Sequence, residues 1–445
     1  MSIWDTLFGR QPDPPAGASG PGFRFGRYTD AHKPSASYRA WDRALAAFED
    51  GDFLTSVTEF LTYLGDPAAD NVRWQREGDR VYFEFYQGSK RVTGQADADQ
   101  LRASARIARL EGENAELLHR LTGMNYELKY GRFAIDAEDC LTVVFDTPAH
   151  DASPHKLYHA FKEIALRADK QDDLLLDEFA DCLSPVEITH LRQLRPAERQ
   201  HKLDFLTRRI TTANDYLAGG AINPEEHPGG VAYLLLDLVY RLDYLLLPEG
   251  HTMEALERMH RMYFARETER PVTYKNVRLL GELQGLLQRA PASFAEELYV
   301  GKSTFGITLP ASHDRLASLI DGELPNVDWY QNNGYPEIAR AIPGYITGYA
   351  LFNFATPAPD RDLLHLYYRV TEDAYFRGLG YRQEFLGEDG RPARRPIRAA
   401  VADVVRRYRD EYPHFRPVTA HLRYDDLVAF GRSFLEMIRE VDLSK

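Results

Sequence analysis

Apolar residues recur at two different spacings along this chain, and the switches between them outline its parts. From Tyr38 to Leu64 the spacing is helical: Trp41, Leu45 and Phe48, then Leu54, Val57 and Leu61, with a break at Gly51-Asp52. Three strand candidates follow. The first holds Val72 and Trp74; in the second Val81, Phe83 and Phe85 alternate with Tyr82, Glu84 and Tyr86; the third holds Val92 and Gly94. Glu77-Gly78-Asp79 and Gln87-Gly88-Ser89 have the composition of hairpin turns. After a helix around Asn114 to Met124, Tyr126, Leu128 and Tyr130 read as a strand that Gly131 breaks and Phe133 and Ile135 resume. Asp136-Ala137-Glu138-Asp139 turns the chain, and Leu141, Val143 and Phe145 alternate on the way back. Ser153-Pro154 then opens a helix with Leu157, Phe161, Ile164 and Ala168 on one face. Period 2 followed by period 3.6 predicts an antiparallel sheet with helices on one face.

Beyond about Asp177 the pattern is helical almost throughout. Pro185 to Leu217, Val231 to Leu247, Met253 to Phe264, Ile338 to Phe354, Leu363 to Gly378, Pro396 to Tyr412 and Asp425 to Val441 are the expected helices. Val277, Leu280, Leu283 and Leu287 form a further apolar stripe. At the other end, Gln11 to Ser37 is rich in Pro, Gly and Ser and is expected to be extended and mobile. Before it, Ile3, Trp4, Leu7 and Phe8 gather on one helical turn, too short to be stable unless it docks on a partner or on the protein's own body. The fold class is therefore α+β, in three parts: a tail over 1–37 with an apolar docking motif, a sheet domain over 38–178, and a mostly helical domain over 179–445.

Composition narrows the function. The chain has 445 residues, 44% hydrophobic and 27% charged, which suits folded domains rather than disorder. Its 54 Lys and Arg against 67 Asp and Glu give a net charge of -13, the wrong sign for a nucleic-acid partner. Cys140 and Cys182 read as two unrelated buried thiols, too few for a zinc site. The longest apolar stretch, Val231 to Leu247, is interrupted by Asp237, Arg241 and Asp243, so no membrane insertion is expected. The N-terminus lacks a basic region followed by an apolar run, and a cytoplasmic location is expected.

Candidate chemistry is thin. Gly301-Lys302-Ser303-Thr304 imitates the end of a phosphate loop, but Glu296 stands where that loop needs its first glycine. His150, Asp151, His155 and His159 have metal-ligand types near a helix start, without the glutamate of a metalloprotease helix. Asp169, Asp172, Asp173 and Asp177 read as a solvated helix end, and Leu174 sits where a calcium loop needs glycine. No catalytic residue, metal or cofactor is assigned. Tyrosine is abundant, with 26 residues. Tyr330, Tyr335, Tyr345 and Tyr349 are the candidate contact residues for a protein or peptide, with core packing as the alternative.

Residues 38 to about 176 resemble the superfamily of type III secretion chaperones and YbjN-like proteins. The carriers are the leading helix, the hairpins, Asn125 followed by Tyr126-Glu127-Leu128, Gly131-Arg132-Phe133-Ala134-Ile135-Asp136, the strand Leu141 to Phe145 and the Ser153-Pro154 helix. The resemblance implies a non-enzymatic domain that forms a homodimer or binds a partner polypeptide. A chaperone-like adaptor within a larger bacterial assembly is the leading reading, and a structural subunit of such an assembly differs from it mainly in stoichiometry. The rival is a metal-dependent enzyme with its site in the helical half, using His227, His251, His260, Glu267 or Glu269, although only Glu257-Arg258-Met259-His260 supplies the inward Glu-x-x-His pattern.

Overall fold

The computed structural model describes residues 23–67, 69–186, 191–265 and 270–444. They form two units. One consists of Tyr28–Arg192 and Val300–Ile307; the other of residues 23–27, Gln193–Tyr299 and Thr308–Lys445.

The first unit is an antiparallel sheet under helices, as the spacing predicts. Helices α1 (Ser35–Glu49) and α2 (Phe53–Leu64) precede strands β1 (Val72–Glu77), β2 (Arg80–Gln87), β3 (Lys90–Ala96) and β4 (Gln100–Leu110). Helix α3 (Ala115–Glu127), strands β5 (Arg132–Ile135) and β6 (Cys140–Pro148), helix α4 (Pro154–Glu178) and strand β7 (Leu183–Pro185) complete it. The seven strands run in the order β1-β2-β3-β4-β6-β5, with β7 pairing the end of β4. Both expected hairpins are present, closing at Glu77 with Arg80 and at Gln87 with Lys90.

α4 starts where the sequence places it, its N-terminus capped by the Ser153 side chain accepting from the Lys156 N–H. Leu157, Phe161, Ile164 and Ala168 are all fully buried on the sheet. The Phe161 ring is the hub, 5.3 Å from Phe83, 5.2 Å from Phe85 and 5.8 Å from Phe60. Cys140 and Cys182 are free and buried, as expected.

Two elements differ from the sequence reading. β4 is a full strand, with Leu101, Ala103, Ala105 and Ile107 facing the core. Tyr126, Leu128 and Tyr130 are not a strand: Tyr126 is 95% exposed on the last turn of α3, and polar side chains shape the segment from Leu128 to Phe133. Glu163 of α4 accepts the backbone N–H groups of Lys129, Tyr130 and Gly131 at 2.8–2.9 Å. The Asn125 amide accepts from the Phe133 N–H (2.6 Å) and donates to the Phe133 carbonyl (3.3 Å), so a side chain pairs with the outer edge of β5.

The second unit contains α5 (Pro196–Ala218), α6 (Pro228–Leu246), α7 (Gly250–Phe264), α8 (Val272–Leu287), α9 (Pro291–Glu296), α10 (His313–Glu323), α11 (Pro325–Asn332), α12 (Pro336–Asn353), α13 (Ala358–Thr371), α14 (Asp373–Gly378), α15 (Arg394–Tyr408) and α16 (Leu427–Arg439). At its centre α6 and α12 pack along their lengths, and both are buried nearly all round. No helix is long and apolar enough to cross a membrane among the described residues. The charges expected to interrupt α6 are instead neutralised inside the unit. Arg241 bonds Asp237 at 2.7 Å and Glu372 at 2.5 Å. This pair fits because residue 344 on α12 is glycine: a Cβ there would lie 2.1 Å from the Asp237 carboxylate.

The segment expected to be extended and mobile up to Ser37 is packed from residue 23 onward. The Phe25 ring lies 5.0 Å from Phe376 and 5.3 Å from His365, and Arg27 forks onto Asp243 at 2.7 and 3.1 Å while bonding Glu257 at 2.8 Å. Within the sheet unit, Asp30 accepts from the Tyr158 hydroxyl at 2.6 Å and from the Gly306 N–H at 3.0 Å.

Candidate functional site

An open concavity lies on the helical unit, between α7 and α8, and encloses about 510 Å³. Its α7 wall presents His251, Ala255 and Arg258; its α8 wall presents Val277, Arg278 and Glu282. Gly281 and Gly285 form the floor, and a Cβ built at either would meet no heavy atom within 4 Å. Two glycines four residues apart on one helix face thus leave backbone where side chains would otherwise fill the space.

The groove exists because α8 buries a different face from the expected one. Asn276, Leu279, Leu283 and Leu286 turn inward, which leaves Val277 at 69% exposure. Phe264, Val272 and Tyr274 on the same two helices are exposed as well. Apolar surface of this kind costs free energy in water, at about 25 cal/mol per Å².

The rim is basic. Arg258 and Arg278 are 45% and 57% exposed and share one carboxylate, Glu282, at 2.8 and 3.9 Å. Arg289, at the far end, is forked on Glu297 at 2.6 and 3.0 Å and bonds the Thr252 hydroxyl at 2.8 Å; the Glu297 carboxylate raises its pKa. Arg289 also borders a second groove of about 630 Å³ between α5 and α9, where Leu203, Thr207, Arg208 and Phe294 contribute. The Arg289 fork is taken by Glu297, whereas exposed Arg258 and Arg278 each meet Glu282 through one nitrogen and offer further N–H groups to carboxylates beside an apolar ledge.

The four candidate tyrosines are brought into one aromatic stack. Tyr330 and Tyr345 are buried against Tyr233, at 6.3 and 5.2 Å. Tyr335 is half-buried and its hydroxyl bonds His227 Nε2 at 2.9 Å; Tyr349 is half-buried beside Phe264 at 5.5 Å. Burial raises the pKa of Tyr330 and Tyr345, and pushes Tyr263 up to about 12. The stack reaches solvent at Trp329, 47% exposed and 4.8 Å from Tyr330. Ile3, Trp4, Leu7 and Phe8 lie outside the described residues.

The other candidates resolve into structural contacts. His260 Nδ1 bonds the Tyr240 hydroxyl at 2.8 Å, and burial lowers its pKa to about 4. His251 stands on the groove wall, and Glu267 and Glu269 lie outside the described residues. His155 packs on Trp41 at 4.9 Å, while Asp151 pairs with Lys156. Among the described residues no group of three or more His, Cys, Asp or Glu side chains converges as metal ligands would.

The phosphate-loop look-alike is an extended strap in the sheet unit. Lys302 Nζ donates to the carbonyl and the carboxylate of Asp70, both at 2.8 Å. The N–H groups of Thr304 and Phe305 donate to the Gln87 side-chain carbonyl at 3.2 and 3.0 Å, and the Phe305 ring enters the core against Phe85 at 5.8 Å. The acidic segment is not uniformly solvated either. Asp172 is 3% exposed, pairs with buried Lys90 at 2.7 Å and accepts from the Ser89 hydroxyl at 2.5 Å. Asp169 accepts from the Ser89 N–H at 2.9 Å. Both carboxylates hold the β2–β3 turn, while Asp177 is exposed.

No protein-family model matches the chain, and no curated protein is detectably similar to it. The interior is aliphatic and aromatic with a few buried polar pairs, and the α7–α8 groove, like the one between α5 and α9, is an open, chemically mixed surface on the helical unit.

Proposed function

We propose that this protein is a non-enzymatic, chaperone-like adaptor that holds a partner polypeptide, with the α7–α8 groove as its grip. The observation carrying the proposal is the combination of an open glycine floor, an exposed Val277 and two exposed arginines, Arg258 and Arg278, on one helix pair. Backbone-lined floors admit a side chain closely, the apolar ledge supplies desolvation, and guanidinium forks select carboxylates. The partner best matched is a short segment bearing one bulky apolar residue beside acidic residues. The resemblance of the first third to secretion chaperones points the same way, towards polypeptide handling rather than turnover.

A library of random peptides displayed on phage and selected against the full chain tests this. Enriched peptides should share an apolar residue flanked by Asp or Glu, and their binding should fall at least about tenfold, or roughly 1.4 kcal/mol, on Gly281→Leu, whose side chain occupies the groove. A selection without enrichment, or peptides indifferent to that substitution, would overturn the assignment.

A further inference from the structure

The sheet has two edges, and only one is closed. At β5 the edge is four residues long and the Asn125 amide occupies the N–H and carbonyl of Phe133. At β1 nothing comparable is present among the described residues. β1 is six residues long, pairs with β2 in unbroken register and contains no proline to remove an outward donor; its charges, Arg73, Arg76 and Glu77, are of both signs.

The register fixes which groups point outward. The Tyr86 N–H bonds the Asn71 carbonyl, and β1 and β2 close at Glu77 with Arg80, so the odd-numbered residues of β1 bond to β2. The N–H and C=O groups of Val72, Trp74 and Arg76 therefore face away from the sheet, where no strand among the described residues is paired to them. Trp74 is 40% exposed beside them.

This edge is complementary to itself. We propose that two copies of the chain pair through β1, antiparallel, about a two-fold axis at Gln75. In that register Trp74 and Arg76 of each copy face Arg76 and Trp74 of the other, and these residues carry the outward backbone groups, so four interstrand hydrogen bonds form. Arg73 then stands opposite Glu77 twice, and each Arg76 guanidinium reaches a Trp74 ring. Shifting the register so that Arg73 faces Arg76 would set like charges opposite and leave the bonding groups out of phase. A six-residue strand pair is smaller than a standard interface of about 800 Å² per partner, so the dimer forms at micromolar or higher concentration.

Light scattering on the full chain at about 100 µM should give twice the 50.9 kDa of one copy. Arg76→Pro, which removes an outward N–H and leaves the β2 ladder intact, should return the mass to one copy. Gln75→Cys places two thiols across the axis and should yield a disulfide-linked dimer with oxidised glutathione, whereas Arg73→Cys should not, since its opposite number is Glu77. Cys140 and Cys182 are buried, so the introduced thiol reports alone. A single-copy mass together with an uncrosslinked Gln75→Cys would overturn the proposal. So would a dimer untouched by Arg76→Pro, or Arg73→Cys crosslinking as readily as Gln75→Cys.

Discussion

Replacing both Gly281 and Gly285 by alanine should make α8 more stable. Glycine in an exposed helix interior is less favourable than alanine by about 0.8–1.0 kcal/mol, because it has more conformational freedom to lose on folding. That gain is realised only where the new methyl group has room, and neither position has a heavy atom within 4 Å of the added carbon. The two substitutions together should therefore contribute roughly 1–2 kcal/mol, a factor of about 5–30 in the local opening equilibrium. Hydrogen–deuterium exchange over residues 272–287 reads that factor directly, as slower exchange of the α8 amides. Unchanged or faster exchange would mean that the added methyl groups meet atoms there, so that the glycines are not an empty floor of the groove. A protein that keeps two destabilising residues on one exposed helix face is holding space open there.

Three further outcomes concern buried ionisable groups. Asp172→Ala leaves the Lys90 ammonium buried without its carboxylate and should cost the sheet unit about 3–5 kcal/mol in urea denaturation, whereas Lys90→Met with Asp172→Leu should recover most of that loss. Burial holds His260 and His365 neutral, with pKa values lowered to about 4 and about 3, so stability present above the unfolded value near 6.5 is lost as pH falls; each should account for about 2 kcal/mol at pH 5, and His365→Gln should flatten that acid limb. His313 has the opposite sign. Its Nδ1 lies 3.0 Å from buried Asp360 and its Nε2 3.3 Å from the Arg439 carbonyl, which raise its pKa, so its stabilisation is complete below the unfolded value and is lost as pH rises through the folded one. Melting temperature against pH should fall on that alkaline limb for the wild type and stay level for His313→Gln.

The sheet-and-helix architecture is legible where apolar contrast is strong. Leu157, Phe161, Ile164 and Ala168 all bury as their spacing predicts, and so do Val81, Phe83 and Phe85. β4 is not, because Ala103 and Ala105 face the core with side chains too small to stand out from Arg102, Ser104 and Arg106. The Tyr126-to-Tyr130 alternation imitates a strand, but side-chain hydrogen bonds to the backbone decide that segment, from Asn125 nearby and from Glu163, which is distant in sequence. Asp172 illustrates the same limit, since its local composition is that of an exposed helix and only its packing against Lys90 makes it interior. At the groove, the stripe Val277, Leu280, Leu283 and Leu287 points to a face about one residue away from the buried one. Gly281 and Gly285 are the available signal, four apart and facing nothing.

The strap carrying Phe305 bears on how the chain is made. A ribosome that has finished Arg192 must add about a hundred further residues before the sheet's last core side chain exists. At about 5–20 residues per second this delay lasts roughly 5–25 s. Throughout it the Phe85 ring lacks the Phe305 edge that completes its packing, and the Gln87 side-chain carbonyl lacks the two N–H groups that donate to it. A gene fragment ending at 192 would make that interval permanent, so domain-by-domain dissection of this protein requires the 300–307 segment to be supplied with the sheet.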